Sequence, residues 1–226
     1  MPSNSRTSRT SSTLTSSAAR LQAPAKLNDD ERILVALGNM LKPRPISNSY
    51  WVTGAVLACE YPYNPTHSFQ NQKLRPVLEC GVRSFIDLTE DGELSPYAQH
   101  LADHARALGI DEDELEYHRV AIPDCHTPTS IDDVYRAMDV LRDNAARGRI
   151  TAIHCRGGIG RTGLIVGCWL VENGFSGEEA LTIISHGWRG VAKRVIYPHS
   201  PQTPEQFTYT LAFDEHTTSR RDTYSP

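Results

Sequence analysis

The chain has 226 residues and a formal net charge of −4, and 39% of its residues are hydrophobic while 22% are charged. These values are typical of one globular domain with a substantial core. The slightly acidic balance argues against nucleic acid as the main partner, and no apolar run approaches the roughly 18 residues that a membrane-spanning helix requires.

Both ends of the chain are polar, and we expect the folded domain to lie between them, at residues 29–214. Residues 1–28 are rich in Ser, Thr and Arg and contain no acid. A disordered tail is the expected state, because such a composition buries too little apolar surface to fold. An organelle transit segment has a similar composition and is the alternative. Residues 215–226 form a second predicted tail, and no apolar signal segment is visible, so we expect a cytoplasmic protein.

The cysteines give a second indication of the compartment. They are odd in number and follow no tight repeat, which argues against a disulfide scaffold and for a reducing environment. The five are Cys59, Cys80, Cys125, Cys155 and Cys168.

Strand and helix patterns alternate from residue 29 onward. Residues 50–59 (YWVTGAVLAC) predict a strand, because aromatic and β-branched residues favour that conformation. A short helix then ends near Gly81, and residues 82–88 predict the second strand. Ser95 followed by Pro96 is typical of a helix start, so we expect a helix from there to Gly109.

The second half of the folded region continues this alternation. Residues 115–122 predict a third strand, Ser130 caps a strongly amphipathic helix, and residues 150–154 predict a short buried strand. Three further helices are predicted at residues 162–173, 177–188 and 204–213. The pattern predicts an α/β fold, a single domain with a central, mainly parallel sheet flanked by helices on both faces.

The loop after the fourth predicted strand, IHCRGGIGRTG at residues 153–163, has two competing interpretations. Its GIGRTG matches the dinucleotide fingerprint G-x-G-x-x-G. That fingerprint requires a second strand after the helix and an acid roughly 20 residues on. Here another helix follows, and the acids at about that distance, Glu178 and Glu179, lie on it. A nucleoside-triphosphate loop requires Lys before Thr162, where Arg161 stands. We therefore reject both nucleotide interpretations.

Cys155 and Arg161 support the other interpretation of this loop, an anion pocket with a nucleophile. The glycines at 157, 158 and 160 let successive backbone N–H groups point inward, and the following helix directs its N-terminus at the same place. Arg161 adds a fork of donors that suits two phosphate oxygens. In such a field Cys155 is expected to be a thiolate near neutral pH.

An acid for the leaving oxygen is expected on the preceding loop, AIPDCHTPTS. Asp124 lies 31 residues before Cys155, at the carboxyl end of the neighbouring predicted strand. A turn-stabilising role after Pro123 is the competing interpretation. Asp87 and Glu90 are candidates for supporting Arg161, although strand-end or surface roles are simpler interpretations.

These segments carry a resemblance to a known family. HCRGGIGRTG resembles the signature H-C-x5-R-[S/T] of the cysteine-dependent protein tyrosine phosphatase superfamily, and AIPDCHTPTS resembles its general-acid loop. WVTGAVLACEYP, GVRSFIDLTEDGEL and SPQTPEQF are similar to segments of its compact dual-specificity-like members. The resemblance spans about residues 47–213.

The resemblance implies a role for each matching residue. Cys155 would attack phosphorus and form a cysteinyl-phosphate, and Asp124 would protonate the leaving oxygen. Thr162 would hydrogen-bond to the sulfur, and His154 would hold the loop from a buried position. Gln206, with Gln202 close by, would position the hydrolytic water. The phosphate would be bound by Arg156, Gly157, Gly158, Ile159, Gly160 and Arg161, with no metal and no cofactor.

The expected function is hydrolysis of phosphotyrosine in proteins, with phosphoserine and phosphothreonine as further substrates. A phosphatase for a non-protein phosphate, such as a phosphoinositide or an RNA end, and an inactive phosphate-binding module are the alternatives. The loop lacks the lysines common in phosphoinositide-directed relatives, which favours a phosphorylated protein as partner. Arg189, Lys193 and Arg194 are candidates for a basic rim, although a solvated face is the simpler interpretation.

Overall fold

The computed structural model describes the backbone of residues 29–223 and the side chains of residues 31–213, so the predicted tail at 1–28 lies outside the described residues. Within this range a five-stranded sheet has the order β1-β2-β5-β3-β4. The strands are β1 Ser49–Thr53, β2 Val56–Cys59, β3 Val82–Asp87, β4 Glu116–Arg119 and β5 Ile150–His154. The helices are α1 Asp29–Asn39, α2 Leu74–Glu79, α3 Leu101–Ala107, α4 Ile131–Ala146, α5 Gly160–Glu172, α6 Gly177–Trp188 and α7 Pro204–Thr223.

The sheet is mainly parallel. β1 pairs antiparallel with β2, and the pairs β2–β5, β5–β3 and β3–β4 are all parallel. The register aligns Cys59 with His154, and Asp87 with both His154 and Arg119. The carboxyl ends of four strands therefore meet at one edge, where loops of an α/β sheet form ligand sites.

Helices cover both faces, as the sequence predicts. Adjacent strand residues point to opposite faces, so Ile86 and Ile153 enter the core beneath α1 and α4 to α7. Phe85 and Ala152 enter a second core beneath α2 and α3. The prediction of a single α/β domain with a central sheet between helical layers is confirmed.

Local sequence signals account for several of the boundaries. The Ser130 hydroxyl accepts a hydrogen bond from the Asp132 backbone N–H at 3.1 Å and starts α4. Ser176 and Glu179 form a reciprocal capping box at the start of α6. Residues 160–171 of α5 are all buried, so this helix runs through the centre of the larger core.

Two expected elements differ from the structure. The run at residues 50–59 is a hairpin and not one strand, because the chain turns at Gly54 and Ala55 between β1 and β2. Ser95 and Pro96 do not begin a helix, since α3 starts at Leu101 after a short 3-10 turn.

Two further helices extend or add to the prediction. α1 is not predicted by the sequence pattern, which gave no helix before residue 50. α7 begins at Pro204 as expected but continues to Thr223, so the predicted domain boundary at residue 214 falls inside a helix.

Candidate active site

Cys155 lies at the end of the central strand, directly after β5 and before α5. Its side chain is buried, with 3% of its surface exposed. The Thr162 hydroxyl, in the first turn of α5, donates a hydrogen bond to the Cys155 sulfur at 3.2 Å. The structure thus places the predicted nucleophile at the N-terminal end of a buried helix, where the helix dipole favours negative charge.

The loop between β5 and α5 is tightly packed against the end of β2. Gly158 has a φ of +72°, and a Cβ atom there would lie 2.6 Å from the carbonyl carbon and oxygen of Cys59. The Tyr61 backbone N–H donates to the Arg156 carbonyl at 3.3 Å. Backbone conformation and close approach therefore both require glycine at position 158.

Arg161 is a buried cation with several fixed partners. Its guanidinium donates to Glu93 from both terminal nitrogens, at 2.7 and 2.8 Å, and to the Ile122 carbonyl at 3.0 Å. Burial lowers the pKa of Arg161, but its hydrogen bonds to Glu93 and the negative charges of Cys155, Glu93 and Asp124 outweigh burial and leave the pKa above its ordinary value. The Arg161 guanidinium is therefore positively charged and held in one orientation.

Glu93 is the functional residue that sequence reasoning missed. Its carboxylate holds Arg161 in a bidentate pair and also contacts the Arg156 Nε at 3.2 Å. The hydrogen bonds from Arg161 lower the pKa of Glu93 to about 2. Of the two acids considered from sequence, Glu90 is exposed, and Asp87 accepts from the Tyr117 hydroxyl at 2.6 Å. The loop after β3 is rich in acids, which is the signal that could have pointed to a partner for Arg161. Nothing in the local sequence distinguishes Glu93 from the other acids of this loop.

Asp124 reaches the same place from the loop after β4. Its Oδ1 lies 2.8 Å from an Arg161 nitrogen, and its side chain is about half exposed at 52%. The next residue, Cys125, has a φ of +62°, so the backbone turns sharply beside the acid. Asp124 and Cys155 border one cavity of about 360 Å³. Of the predicted phosphate-binding residues, its wall includes Arg156, Gly157, Ile159, Gly160 and Arg161.

His154 lies behind the loop and not in the cavity. It is fully buried, and its Nε2 is 2.5 Å from the Tyr97 hydroxyl while its Nδ1 is 3.7 Å from Asp87. Burial lowers the pKa of His154, and the nearby charge of Asp87 only partly opposes this effect. The ring is therefore neutral at neutral pH, in agreement with the expected buried position.

Gln206 lies against Gly160 of the cavity wall but does not itself line the cavity, and its water-positioning role stays a prediction. Its buried carboxamide oxygen accepts from the backbone N–H groups of Gln202 and Thr203, at 3.1 and 3.2 Å. Its nitrogen donates to the His126 carbonyl at 2.9 Å. Gln206 thus ties the Asp124 loop to the start of α7, and Gln202 lines the cavity instead.

The other wall of the cavity comes from the segment between α6 and α7. Lys193 and Tyr197 line it together with Gln202.

Across the described residues, no group of three or more His, Cys, Asp or Glu side chains is arranged to hold a metal ion. None of the helices in the same range is long and apolar enough to cross a membrane.

Solved structures with this fold include several phosphatases. Tk-PTP in its active form is 22% identical, with a TM-score of 0.57, and the match covers 74% of this chain and 97% of that one. A kinase associated phosphatase with its catalytic-site cysteine replaced by serine is 22% identical, with a TM-score of 0.55, and covers 82% and 94%. PTPMT1 in complex with PI(5)P is 18% identical, with a TM-score of 0.54, and covers 79% and 97%. At these identities the similarity shows the fold.

The fold and the C-x5-R loop define a cysteine-dependent phosphatase of the dual-specificity type. The family described as Tc-R-P, a polymorphic toxin system DSP-PTPase phosphatase, matches residues 63–175, which is half of the chain. The chain therefore belongs to this family, and its activity is that of a phosphatase. Asp124, Cys155 and Arg161 all lie within the matched residues.

Proposed function

We propose that this phosphatase hydrolyses phosphotyrosine in proteins through a cysteinyl-phosphate intermediate, with phosphoserine and phosphothreonine as further substrates. The observation that carries the proposal is the convergence of Cys155, Arg161 and Asp124 on one cavity. A nucleophile, a fixed cation and an acid are the three groups that phosphoryl transfer to a protein side chain needs.

The first step forms the S–P bond and breaks the ester P–O bond. The Cys155 thiolate attacks phosphorus, and Arg161 with the loop amides binds the phosphoryl oxygens. Asp124 gives its proton to the leaving phenolate oxygen. In the free protein the Asp124 carboxylate lies 2.8 Å from an Arg161 nitrogen, so the substrate phosphate displaces it as it binds. Asp124 takes up a proton from solvent once it has left Arg161, and this is the proton that it gives to the leaving oxygen.

The second step returns the enzyme to its starting state. Water attacks the phosphorus of the cysteinyl-phosphate, Asp124 accepts the water's proton, and the S–P bond breaks to release phosphate. The Thr162 hydroxyl, 3.2 Å from the sulfur, stabilises the departing thiolate. Gln202, on the cavity wall, is in a better place than Gln206 to orient the water.

The depth of Cys155 in the cavity supports phosphotyrosine as the preferred substrate over phosphoserine and phosphothreonine, whose side chains are shorter. Only 3% of the Cys155 surface is exposed, so the phosphate has to descend into the cavity. The walls include the apolar surfaces of Ile159 and Tyr197, which suit a phenyl ring better than the short stem of phosphoserine.

Hydrolysis of para-nitrophenyl phosphate and of a phosphotyrosine peptide, with EDTA present, tests the proposal. We expect Cys155→Ser to abolish turnover and Asp124→Ala to reduce kcat by about 10²- to 10⁴-fold. Cys80→Ser, which changes a half-buried cysteine outside the cavity wall, is the matched control and should keep wild-type turnover.

Two results would contradict the proposal. Turnover that survives in Cys155→Ser would exclude Cys155 as the nucleophile. A wild-type protein that folds and binds vanadate but hydrolyses phosphoserine peptides faster than the phosphotyrosine peptide of the same sequence would reverse the substrate assignment.

A further inference from the structure

Two ammonium groups share one nearly buried carboxylate beside the cavity. The Glu60 side chain is 6% exposed, and its two oxygens lie 2.6 Å from Lys73 Nζ and 2.6 Å from Lys193 Nζ. Burial raises the pKa of Glu60, but hydrogen bonds from the two lysines and from Asn48 outweigh it and leave the carboxylate ionised. Two positive charges around one negative charge leave this group of three with a net positive charge.

Lys193 is the member of the group that faces the cavity. Its Nζ also donates to the Gly157 carbonyl of the anion-binding loop at 3.3 Å, and its backbone N–H donates to the Asn48 side chain at 3.0 Å. The side chain keeps 29% of its surface exposed, and it lines the cavity while Lys73 does not. The ammonium is therefore positioned next to the loop and accessible to a substrate.

The two arginines of the cavity wall, Arg156 and Arg161, are balanced by two carboxylates. Arg161 is paired with Glu93 and Asp124, and the Arg156 Nε contacts Glu93. In the sequence, no acid occurs between Glu179 and Glu205, so no nearby residue of the segment 180–204 neutralises Lys193. Lys193 shares the single carboxylate of Glu60 with Lys73, so among the described residues its group keeps one uncompensated positive charge.

We propose that Lys193 forms a subsite for a second anionic group, the carboxylate of an Asp or Glu adjacent to the phosphotyrosine. This inference rests on the proposed function and specifies its substrates as acidic phosphopeptide segments. A single ammonium held by Glu60 matches one carboxylate, whereas a polyphosphorylated lipid headgroup would need several unpaired cations at the same rim. Lys193 and Glu60 both lie outside the residues that the family match covers.

The test compares phosphotyrosine peptides of one sequence in which both neighbours of the phosphotyrosine are Glu, Gln or Lys. We expect kcat/KM for the Glu peptide to exceed that for the Gln peptide by about three- to fivefold, as for a partly exposed ion pair. The Lys peptide should be the poorest substrate, and the preference should shrink at high salt. In Lys193→Met the ratio of Glu to Gln peptide should fall to about one.

Arg194→Met is the matched control, because it removes an exposed cation of the same segment that does not line the cavity. It should keep the wild-type preference. If Lys193→Met folds poorly, the double variant Glu60→Gln, Lys193→Met removes the buried charge with its partner and should also lose the preference. The same ranking should appear in peptide binding to Cys155→Ser, which needs no turnover.

The outcomes separate the two proposals. Equal rates for Glu and Gln peptides in the wild type, or a preference that persists in Lys193→Met, would overturn the subsite while phosphotyrosine turnover still supports the proposed function. Faster hydrolysis of phosphoinositide vesicles than of the best peptide would also overturn it. Turnover that persists in Cys155→Ser would instead contradict the proposed mechanism. The relative affinities of the Glu, Gln and Lys peptides would then still test whether Lys193 binds a carboxylate.

Discussion

Arg161 binds two carboxylates in the free protein, and only one of them has to leave when substrate enters. Glu93 holds the guanidinium through both terminal nitrogens, whereas Asp124 contacts one nitrogen and is half exposed. The weaker contact is therefore the one that a phosphate displaces. This arrangement places the acid beside the phosphate position before the reaction begins.

Asp124→Asn should separate binding from turnover. The change removes a negative charge that repels phosphate and competes for Arg161, so phosphate or vanadate should bind about five- to tenfold more tightly. At the same time kcat should fall, because the amide cannot protonate the leaving oxygen. Calorimetric titration with vanadate and steady-state kinetics measure the two effects.

The matched control for this change is Asp91→Asn, which alters an exposed acid that pairs with Arg119 outside the cavity. It should change neither vanadate affinity nor kcat. Weaker vanadate binding in Asp124→Asn would show that Asp124 does not compete with phosphate for Arg161.

Glu93→Gln should impair turnover although Glu93 does not line the cavity. Without the carboxylate, Arg161 loses its bidentate partner, and a displaced guanidinium should reduce kcat/KM by about 10- to 100-fold. Because the pKa of Glu93 is about 2, the carboxylate is ionised throughout the working range, so the loss should be the same at pH 5 and pH 8.

Glu90→Gln is the control for Glu93, since it changes an exposed acid of the same loop. Steady-state kinetics at pH 5 and pH 8 should give the wild-type kcat/KM for this variant. A loss that is equal for the two variants would point to general loop charge and against the Arg161 pair.

At the scale of elements, the loop between β5 and α5 depends on its contact with the end of β2. Gly158→Ala would combine a left-handed φ of +72° with a contact of 2.6 Å to the Cys59 carbonyl. Gly148→Ala has a similar φ of +68° but nothing within 4 Å of the added methyl group. Comparison of the two variants therefore separates the effect of backbone strain from that of steric overlap.

We expect Gly148→Ala to reduce the free energy of unfolding by about 1 kcal/mol, the strain of a left-handed residue. Gly158→Ala should cost about 2 to 4 kcal/mol and should also abolish most activity, because the loop has to move away from β2. Urea unfolding and para-nitrophenyl phosphate hydrolysis measure both. Equal destabilisation of the two variants would show that the contact with Cys59 does not constrain the loop.

The sequence predicts this element well because its signals are contiguous. The buried strand at residues 150–154, the glycines and the apolar helix lie within two dozen residues, and the observed bounds agree closely. The start of α3 is different. Tyr97 falls within the helix expected from Ser95 to Gly109, but it is buried before α3 with its hydroxyl 2.5 Å from His154 Nε2, so a tertiary contact overrides the Ser95-Pro96 start signal.

Residues that act across elements were harder to predict from sequence. Glu93 lies 68 residues before Arg161 and meets it only because β3 and β5 are neighbours in the sheet. Gln206 looked suited to the cavity by its position in SPQTPEQF, but backbone groups of the same turn take up its carboxamide. Local pattern specifies the loop and the helices, whereas these contacts depend on the packing of the whole chain.

At the scale of the whole molecule, the buried His154 makes stability depend on pH. Burial lowers the pKa of this imidazole below its ordinary value of 6.5, so the unfolded chain takes up a proton that the folded protein does not. The free energy of unfolding should therefore fall as the pH drops below about 6.5, by at most about 1.4 kcal/mol per pH unit for this residue. His104, whose pKa burial also lowers, adds in the same direction.

Urea unfolding at pH 7.5 and pH 5.5 measures this dependence. His154→Asn should be less stable than wild type at pH 7.5 but should lose less stability between the two pH values. His186→Asn, at an exposed position on α6, controls for the loss of one imidazole. A drop in His154→Asn as large as in wild type would assign the pH dependence to other groups.

The proposed mechanism requires that catalysis pass through a phosphate bound to Cys155. Its most direct test is to denature the wild-type protein rapidly in detergent during turnover of a phosphotyrosine peptide and to locate covalent phosphate by peptide mass spectrometry. The mechanism predicts phosphate on the peptide that contains Cys155, and none after the same treatment of Cys155→Ser. Phosphate on a different residue, or continued turnover by Cys155→Ser without any phosphoenzyme, would contradict it.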